Sequence, residues 1–277
     1  MRLGISAEIS HSSPEEWREK IKRFGCTCVV FPTDYRADVN RIDEYVRIAR
    51  EENWVIGEVG AWCSPLADDR KVREASLERC VEQLRLADYT KAGCCVNVTG
   101  AAGEQWDGAY AQNFSREFYE RIVKSIQYII DTAKPVNTYY TIEPMPWMVP
   151  AGPEQYERLL MDVNRERFAV HMDIANWMCS YERYFAPERF IDEVAEKLGS
   201  RIKSCHLKDV KLKKEFTFQV QEVACGKGAL NLEYYVEKML EIDPDMPVYI
   251  EHLGTEEEYL ESMRYVAKRM AAAGFPV

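Results

Sequence analysis

Eight short runs of β-type sequence alternate with longer amphipathic stretches along the whole chain, and this alternation admits few folds. The runs begin at Leu3 (LGISAEI), Cys26 (CTCVVFP), Trp54 (WVIGEVGAW), Cys94 (CCVNVTG), Tyr139 (YYTIEPMP), Phe168 (FAVHMDIAN), Ile202 (IKSCHLKD) and Pro247 (PVYIEHL). Helix-type stretches cover 13–25, 68–91, 113–134, 153–164, 187–198, 230–240 and 255–272. The first has Ser13 in the N-cap position, Pro14 at the first helical position and Gly25 at its end, the expected start and stop signals. Such alternation implies parallel strands joined by right-handed crossovers. Eight units in 277 residues fit a closed (β/α)8 TIM barrel, which takes about 250 residues. An open doubly wound sheet is the alternative, but its glycine fingerprint after the first strand is missing. No linker or low-complexity tract divides the chain, so residues 1–277 are expected to form a single TIM-barrel domain.

Composition narrows the function classes. Hydrophobic residues make up 47% and charged residues 30%, compatible with a packed core in water. No apolar run approaches the roughly 20 residues of a membrane helix. The start, MRLGISAEISHSSPEEW, lacks the apolar stretch and cleavage site of a secretory signal, so the expected location is cytoplasmic and no membrane partner is expected. A net charge of −10 repels phosphate backbones. The one dense basic run, KDVKLKK at Lys208–Lys214, reads as a solvated loop, so no nucleic-acid partner is expected either. The nine cysteines are scattered, with no CxxC pair. They read as reduced, buried thiols, including the CxC at Cys26 and Cys28 inside an apolar run.

Strand parity brings out a constellation, because successive side chains alternate between faces. Tyr140 and Ile142 oppose Thr141 and Glu143. Val170, Met172 and Ile174 oppose His171, Asp173 and Ala175. Cys205 and Leu207 oppose Ser204 and His206, and Val248 and Ile250 oppose Tyr249 and Glu251. The more apolar face should meet the helices. The other set points to the barrel axis and ends in a polar residue near the strand's C-terminus, where barrel active sites sit. Glu143, Asp173, His206 and Glu251 thus come from four consecutive strands about 4.8 Å apart. Singly, each has a bland reading as an ion-pair partner, a turn residue or a core histidine. Together, three converging carboxylates demand a cation, since like charges raise one another's pKa. Three carboxylates and one imidazole suit Mn²⁺ first, with Mg²⁺ or Co²⁺ also fitting. A dedicated zinc site would use more His or Cys.

The segments EPMP at Glu143, HMDIAN at His171, CHLKD at Cys205 and IEH at Ile250 resemble the xylose isomerase-like barrel superfamily of sugar isomerases and epimerases, across all eight units. The GKG turn at Gly226–Gly228, followed by Asn231, resembles the glycine turn these proteins carry after the seventh strand. The resemblance implies a divalent ion held by Glu143, Asp173, His206 and Glu251. It also implies that Glu143 and Glu251 flank the substrate as catalytic groups, one taking a proton beside a carbonyl and the other returning it. Two positions depart from the ketose epimerase pattern. Asn176 stands where a histidine is common, and Lys208, Lys211 and Lys213 stand where an arginine is usual.

Met145, Trp147, Met148, Trp177, Met178 and Trp62 follow the strands and suggest an apolar, aromatic rim. Such a rim also suits the members of this superfamily that cleave 3-keto aryl C-glycosides, lyases that usually need a small partner subunit. Glu8, Glu58 and Asn97 are expected on inward faces, touching a sugar, along with Trp62, Trp147, Asn176 and Lys208. His171 is expected to be a core or supporting residue, His252 to face away from the centre, and His11 to be able to reach in as an acid. Gly226 and Gly228 either present amides to a phosphate or form a plain turn. The primary expectation is a metal-dependent sugar or keto-sugar isomerase or epimerase with a small carbohydrate substrate, possible as a homo-oligomer. The lyase is the alternative. An endonuclease-IV-like enzyme is disfavoured by the acidic charge and by having only His11, His171, His206 and His252. A non-catalytic sugar-binding protein would not need the four ligands.

Overall fold

The computed structural model describes residues 1–275. Eight parallel strands form one sheet in the order β1 (Arg2–Ser6), β10 (Pro247–Glu251), β7 (Ile202–Leu207), β6 (Phe168–Asp173), β5 (Tyr139–Ile142), β4 (Cys94–Asn97), β3 (Val55–Gly60) and β2 (Cys28–Val30). The seam between β1 and β2 is drawn together by the Thr27 amide donating to the Leu3 carbonyl at 2.8 Å. The result is a nearly closed TIM barrel, with helices outside.

The helices begin and end where local chemistry directs. In α1 (Pro14–Phe24), the Ser13 hydroxyl accepts from the Glu16 amide and Gly25 closes the helix at φ +73°, a left-handed cap that glycine adopts without strain. α9 (Glu256–Ala272) opens with a full capping box between Thr255 and Glu258. Two elements add to the stretches named from the sequence. α2 (Val39–Glu51) follows β2 and buries Ile42, Tyr45, Ile48 and Ala49; its narrow apolar stripe is masked by a dense charged face. The KDVKLKK run is not a loop. It starts an antiparallel hairpin of β8 (Asp209–Leu212) and β9 (Val220–Val223) outside the barrel sheet.

The sheet's outer face and the helices share one apolar core that includes Leu3, Tyr140, Ile142, Phe168, Met172, Cys205 and Ile250. The barrel interior is unusually polar. Glu58, Thr141, His171, Ser204 and Tyr249 are fully buried there, and the Tyr249 hydroxyl donates to the Val29 carbonyl at 2.9 Å. Gly57 makes room for this ring, because a Cβ there would run into the Tyr249 hydroxyl. All nine cysteines are free thiols, seven of them buried, with Cys63 half-buried and Cys179 exposed.

The end of β5 is held with particular care. Tyr156, from α5 (Pro153–Val163), donates its hydroxyl proton to the Ile142 carbonyl at 2.6 Å and accepts from the Ile142 amide at 3.2 Å. The Glu143 amide donates to the Asn97 carbonyl at 2.8 Å. Pro144 and Pro146 then remove two ladder donors and end the strand.

These contacts set two expectations for stability. Gly57→Ala should cost about 1–3 kcal/mol through overpacking, seen as a lower urea midpoint at unchanged slope; an unchanged midpoint would show that Tyr249 moves aside freely. Tyr156→Phe strands buried backbone groups of Ile142 and should cost about 1–3 kcal/mol, while Tyr156→Phe with wild-type stability would refute the role given to this hydroxyl.

Candidate metal centre

Each of the four parity-selected side chains sits at the C-terminal end of its strand. Glu143 follows β5, Asp173 ends β6, His206 is the penultimate residue of β7 and Glu251 ends β10. One ligand atom from each lies within 4.8 Å of the others, and all four residues are buried. The register explains the convergence: Asp173 is opposite His206, and Tyr249, two residues before Glu251, is opposite His206 on the other side. His206 therefore sits between neighbours, its Nδ1 3.3 Å from Glu143 Oε1 and 3.0 Å from Glu251 Oε2.

Lys208 joins the group, as its shared parity with His206 suggests. Its Nζ is 2.7 Å from Asp173 Oδ2 and 2.6 Å from Glu251 Oε1. Those two oxygens receive no directed hydrogen bond, so the contacts are ion pairs set off the hydrogen-bonding angle. Asn176 completes the inner ring. Its Nδ2 donates to Glu143 Oε1 at 3.1 Å and to the Pro144 carbonyl at 3.0 Å, and its Oδ1 accepts from Lys208 at 3.3 Å.

The charges show why a further cation fits. Burial pushes Asp173 up to about 7, with Glu251 and Glu143 adding to the rise against the pull of Lys208. Burial also opposes ionisation of Glu143 and Glu251, but His206 more than offsets it and both are held below the usual carboxylate range. Burial disfavours the His206 imidazolium, yet Glu251, Glu143 and Glu58 outweigh it and raise this histidine well above its ordinary value. The protein's own cations thus do not fully offset the burial and mutual repulsion that resist ionisation of Asp173. A divalent ion would supply further positive charge, and the oxygens of Asp173 and Glu251 beside Lys208 have no directed partner. The oxygen-rich set suits a hard cation.

Several expected site residues land elsewhere. Asn97 faces the helix layer, not the axis: its Nδ2 donates to Cys80 Sγ and to the Tyr140 hydroxyl, both at 3.3 Å, and its Oδ1 accepts from the Cys63 amide. On β4 it is Cys94 that faces inward, its Sγ 3.2 Å from Ser204 Oγ. Glu8 lies past the end of β1 and is exposed. Glu58 does face inward, but it sits against His171 and His206 with no exposure, below the centre. Trp177 and Met178 belong to the core, with the Trp177 indole donating to the Pro150 carbonyl, and Met148 packs on Val98 and Ala101. The aromatic rim is therefore thinner than expected. Trp147 is exposed and tied by its indole N–H to the Asp107 carbonyl at 2.5 Å. His11 is pinned between the Ile9 carbonyl and the Tyr45 hydroxyl, both at 2.6 Å, which occupies both ring nitrogens. His252 does not face away from the centre: it approaches Lys208 at 3.3 Å and Glu251 at 3.7 Å.

Trp62 is placed over the centre, its ring 6.4 Å from that of His206 and tilted by 30°. Its backbone has φ +40°, a conformation rare for a bulky residue. Gly60 permits the fold-back, since a Cβ there would meet the indole nitrogen. Trp62 also lines a cavity of about 700 Å³ with Phe31, Asp34, Arg79, His11 and Glu8. A second cavity, of about 600 Å³, reaches His252. Neither is lined by the four convergent residues themselves, so Trp62 and His252 are the links between open space and the buried centre.

Sequence reasoning missed Glu222. The β8–β9 hairpin brings it within 3.3 Å of Lys208 and 2.9 Å of His252, and no pattern in the sequence marks the hairpin. The GKG turn proves to be a turn filled by the chain itself. Asp209 accepts from the amides of Gly226 (3.1 Å), Gly228 (2.8 Å), Leu230 (3.0 Å) and Val210 (2.9 Å), taking the place a phosphate would need.

No curated protein sequence matches the chain. Among solved structures it is similar to a D-tagatose 3-epimerase-like protein, at 17% identity over 99% of this chain and 98% of that chain, with a TM-score of 0.74. Endonuclease IV from Thermus thermophilus aligns at 14% identity over 98% of this chain and 100% of the other, TM-score 0.75. A xylose isomerase-like TIM barrel protein from Mycobacterium smegmatis, in complex with magnesium, aligns at 14% identity over 94% and 88%, TM-score 0.70. At these identities the likeness shows the shared barrel. The sequence profile described as xylose isomerase-like TIM barrel matches residues 15–269, and the chain belongs to that family.

Proposed function

We propose that this protein is a divalent-metal-dependent isomerase or epimerase of a sugar or keto-sugar, with Glu143, Asp173, His206 and Glu251 as the ligands and Mn²⁺ as the preferred ion. The observation that carries the proposal is the pairing of two buried carboxylates, Glu143 and Glu251, at the same ring nitrogen of His206. Two carboxylates so placed, facing one point, suit removal and return of a proton. A bound divalent ion would supply Lewis acidity that makes a carbon-bound proton next to a carbonyl acidic enough to transfer.

The chain's own groups do the remaining work. One glutamate accepts the proton from carbon, and its partner, carrying a proton, delivers one to the carbon skeleton. After turnover the two have exchanged protonation states, so the first must give up its proton and the second regain one before another cycle in the same direction. Lys208, between Asp173, Glu251 and Asn176, is placed to donate to a substrate oxygen. Asn176 keeps Glu143 oriented through its amide, from the position where ketose epimerases commonly carry a histidine. Trp62 covers the centre with an apolar face, which suits the C–H side of a sugar ring and excludes water. Glu8 and Trp147 remain outer contacts for whatever extends beyond the reacting sugar. The substrate is a small carbohydrate. The acidic charge disfavours nucleic acid as a partner, and no helix among the described residues is long and apolar enough to cross a bilayer.

A second reading is favoured by one feature. The cavity beside Trp62, about 700 Å³, lies in the roughly 300–1,000 Å³ range of clefts that take drug-sized ligands, and Phe31 and Trp62 line it. An aryl C-glycoside oxidised to a ketone would place its sugar on the centre and its aglycone in this cleft. On that reading the protein is the catalytic subunit of a carbon–carbon lyase with a small partner. The endonuclease reading is set aside, because the convergent set has one histidine and the chain is strongly acidic.

The test is mass spectrometry in D₂O with Mn²⁺-loaded protein and a panel of free ketoses, sugar phosphates and 3-keto sugars. One deuterium per product beside the carbonyl is expected, falling by about 10²–10⁴-fold in Glu143→Gln or Glu251→Gln. Deuterium uptake unaffected by both substitutions would refute the assignment. Aglycone release from a 3-keto aryl C-glycoside, without uptake elsewhere in the panel, would select the lyase.

A further inference from the structure

Directly beneath the convergent four lies a polar group that the proposed chemistry does not use. Glu58, on the inward face of β3, is fully buried, as is His171 on β6. His206 presents its two ring nitrogens to opposite layers. Nδ1 faces Glu143 and Glu251, while Nε2 faces Glu58 Oε2 at 3.5 Å. His171 meets His206 edge-on, with centroids 4.1 Å apart at 72°. Its Nδ1 lies 3.1 Å from Glu58 Oε1 and 2.7 Å from Ser204 Oγ.

A buried carboxylate is costly unless donors surround it. Among the described residues, the two imidazoles are the only basic groups paired with Glu58. Both Glu58 oxygens and Nε2 of His206 lack any directed hydrogen bond, so these facing buried atoms are one another's means of satisfaction. A neutral imidazole has one N–H and one lone pair. With the proton on Nε2, directed at Glu58, the lone pair falls on Nδ1, directed at Glu143 and Glu251. The opposite tautomer would aim a lone pair at the Glu58 carboxylate and an N–H into the space a cation needs.

We propose that Glu58 is a positioning residue: it fixes His206 as the Nε2–H tautomer with Nδ1 presented to the divalent ion, and His171 in turn holds Glu58 in place. The arrangement is a carboxylate–imidazole–metal series, in which the outer carboxylate orients the ring and raises its donor strength. This inference rests on the metal-centre reading and is independent of which sugar the protein acts on.

The test combines Mn²⁺ titration with NMR of the ring nitrogens in the diamagnetic Mg²⁺-loaded protein. Wild type should bind one Mn²⁺ per chain and show His206 as Nε2–H. Glu58→Met, which removes the acceptor at similar volume, should weaken Mn²⁺ binding about 10–100-fold and lose the single tautomer. Glu58→Gln keeps an acceptor oxygen and should fall between the two; it also answers the question if Glu58→Met does not fold. Wild-type affinity and tautomer in both variants would overturn the proposal. A second Mn²⁺ per chain, lost in Glu58→Gln, would overturn it in favour of a cation site made by Glu58, His171 and His206. No Mn²⁺ binding by wild type would remove the metal centre itself, whereas normal binding without turnover would refute only the proposed reaction.

Discussion

Three carboxylates forced together out of water are the constraint around which this barrel is arranged. Glu143, Asp173 and Glu251 are at most 6% exposed, and each opposes ionisation of the others. Lys208 and His206 relieve part of that repulsion, and burial still pushes Asp173 up to about 7. Such a cluster is a poor way to gain stability. Its presence at the C-terminal ends of neighbouring strands marks it as a site kept for a ligand of opposite charge.

The surrounding structure holds that unfavourable arrangement in place. Tyr156 and the Asn97 carbonyl anchor the backbone on which Glu143 is carried. Asn176 locks the Glu143 carboxylate, and the β8–β9 hairpin adds Glu222 against Lys208. The same hairpin is secured by Asp209, whose carboxylate gathers four backbone amides. Beneath the centre, the polar interior of Glu58, His171, Ser204 and Tyr249 replaces the branched aliphatic layers usual in these barrels. Bulk is not what that interior is built to supply; orientation of His206 is.

Much of this was legible in the sequence because it depends on period and position. Alternation of strand and helix gave the barrel, and parity within β5, β6, β7 and β10 singled out Glu143, Asp173, His206 and Glu251. Parity failed at Asn97, where one residue of misjudged register turned an outward side chain inward. Alternation calls for a helix after β2, and α2 fills that place, whereas the hairpin carrying Glu222 lies outside the repeating unit. Aromatic residues after strands were also poor guides. Trp62, two residues past β3, folds back over His206, while Trp177, four residues past β6, is driven into the core by its packing on Tyr156 and Phe190. Chain position alone does not distinguish these outcomes.

The family fixes the barrel, the buried charges mark the candidate metal centre, and open space lies at Trp62 and His252. The most direct test of the central claim is anomalous scattering at the manganese edge from crystals soaked in Mn²⁺. One strong peak is expected about 2 Å from side-chain atoms of Glu143, Asp173, His206 and Glu251, with the Lys208 ammonium moved off the Asp173 and Glu251 oxygens. A peak elsewhere, or no peak with Lys208 still bridging Asp173 and Glu251, would contradict it.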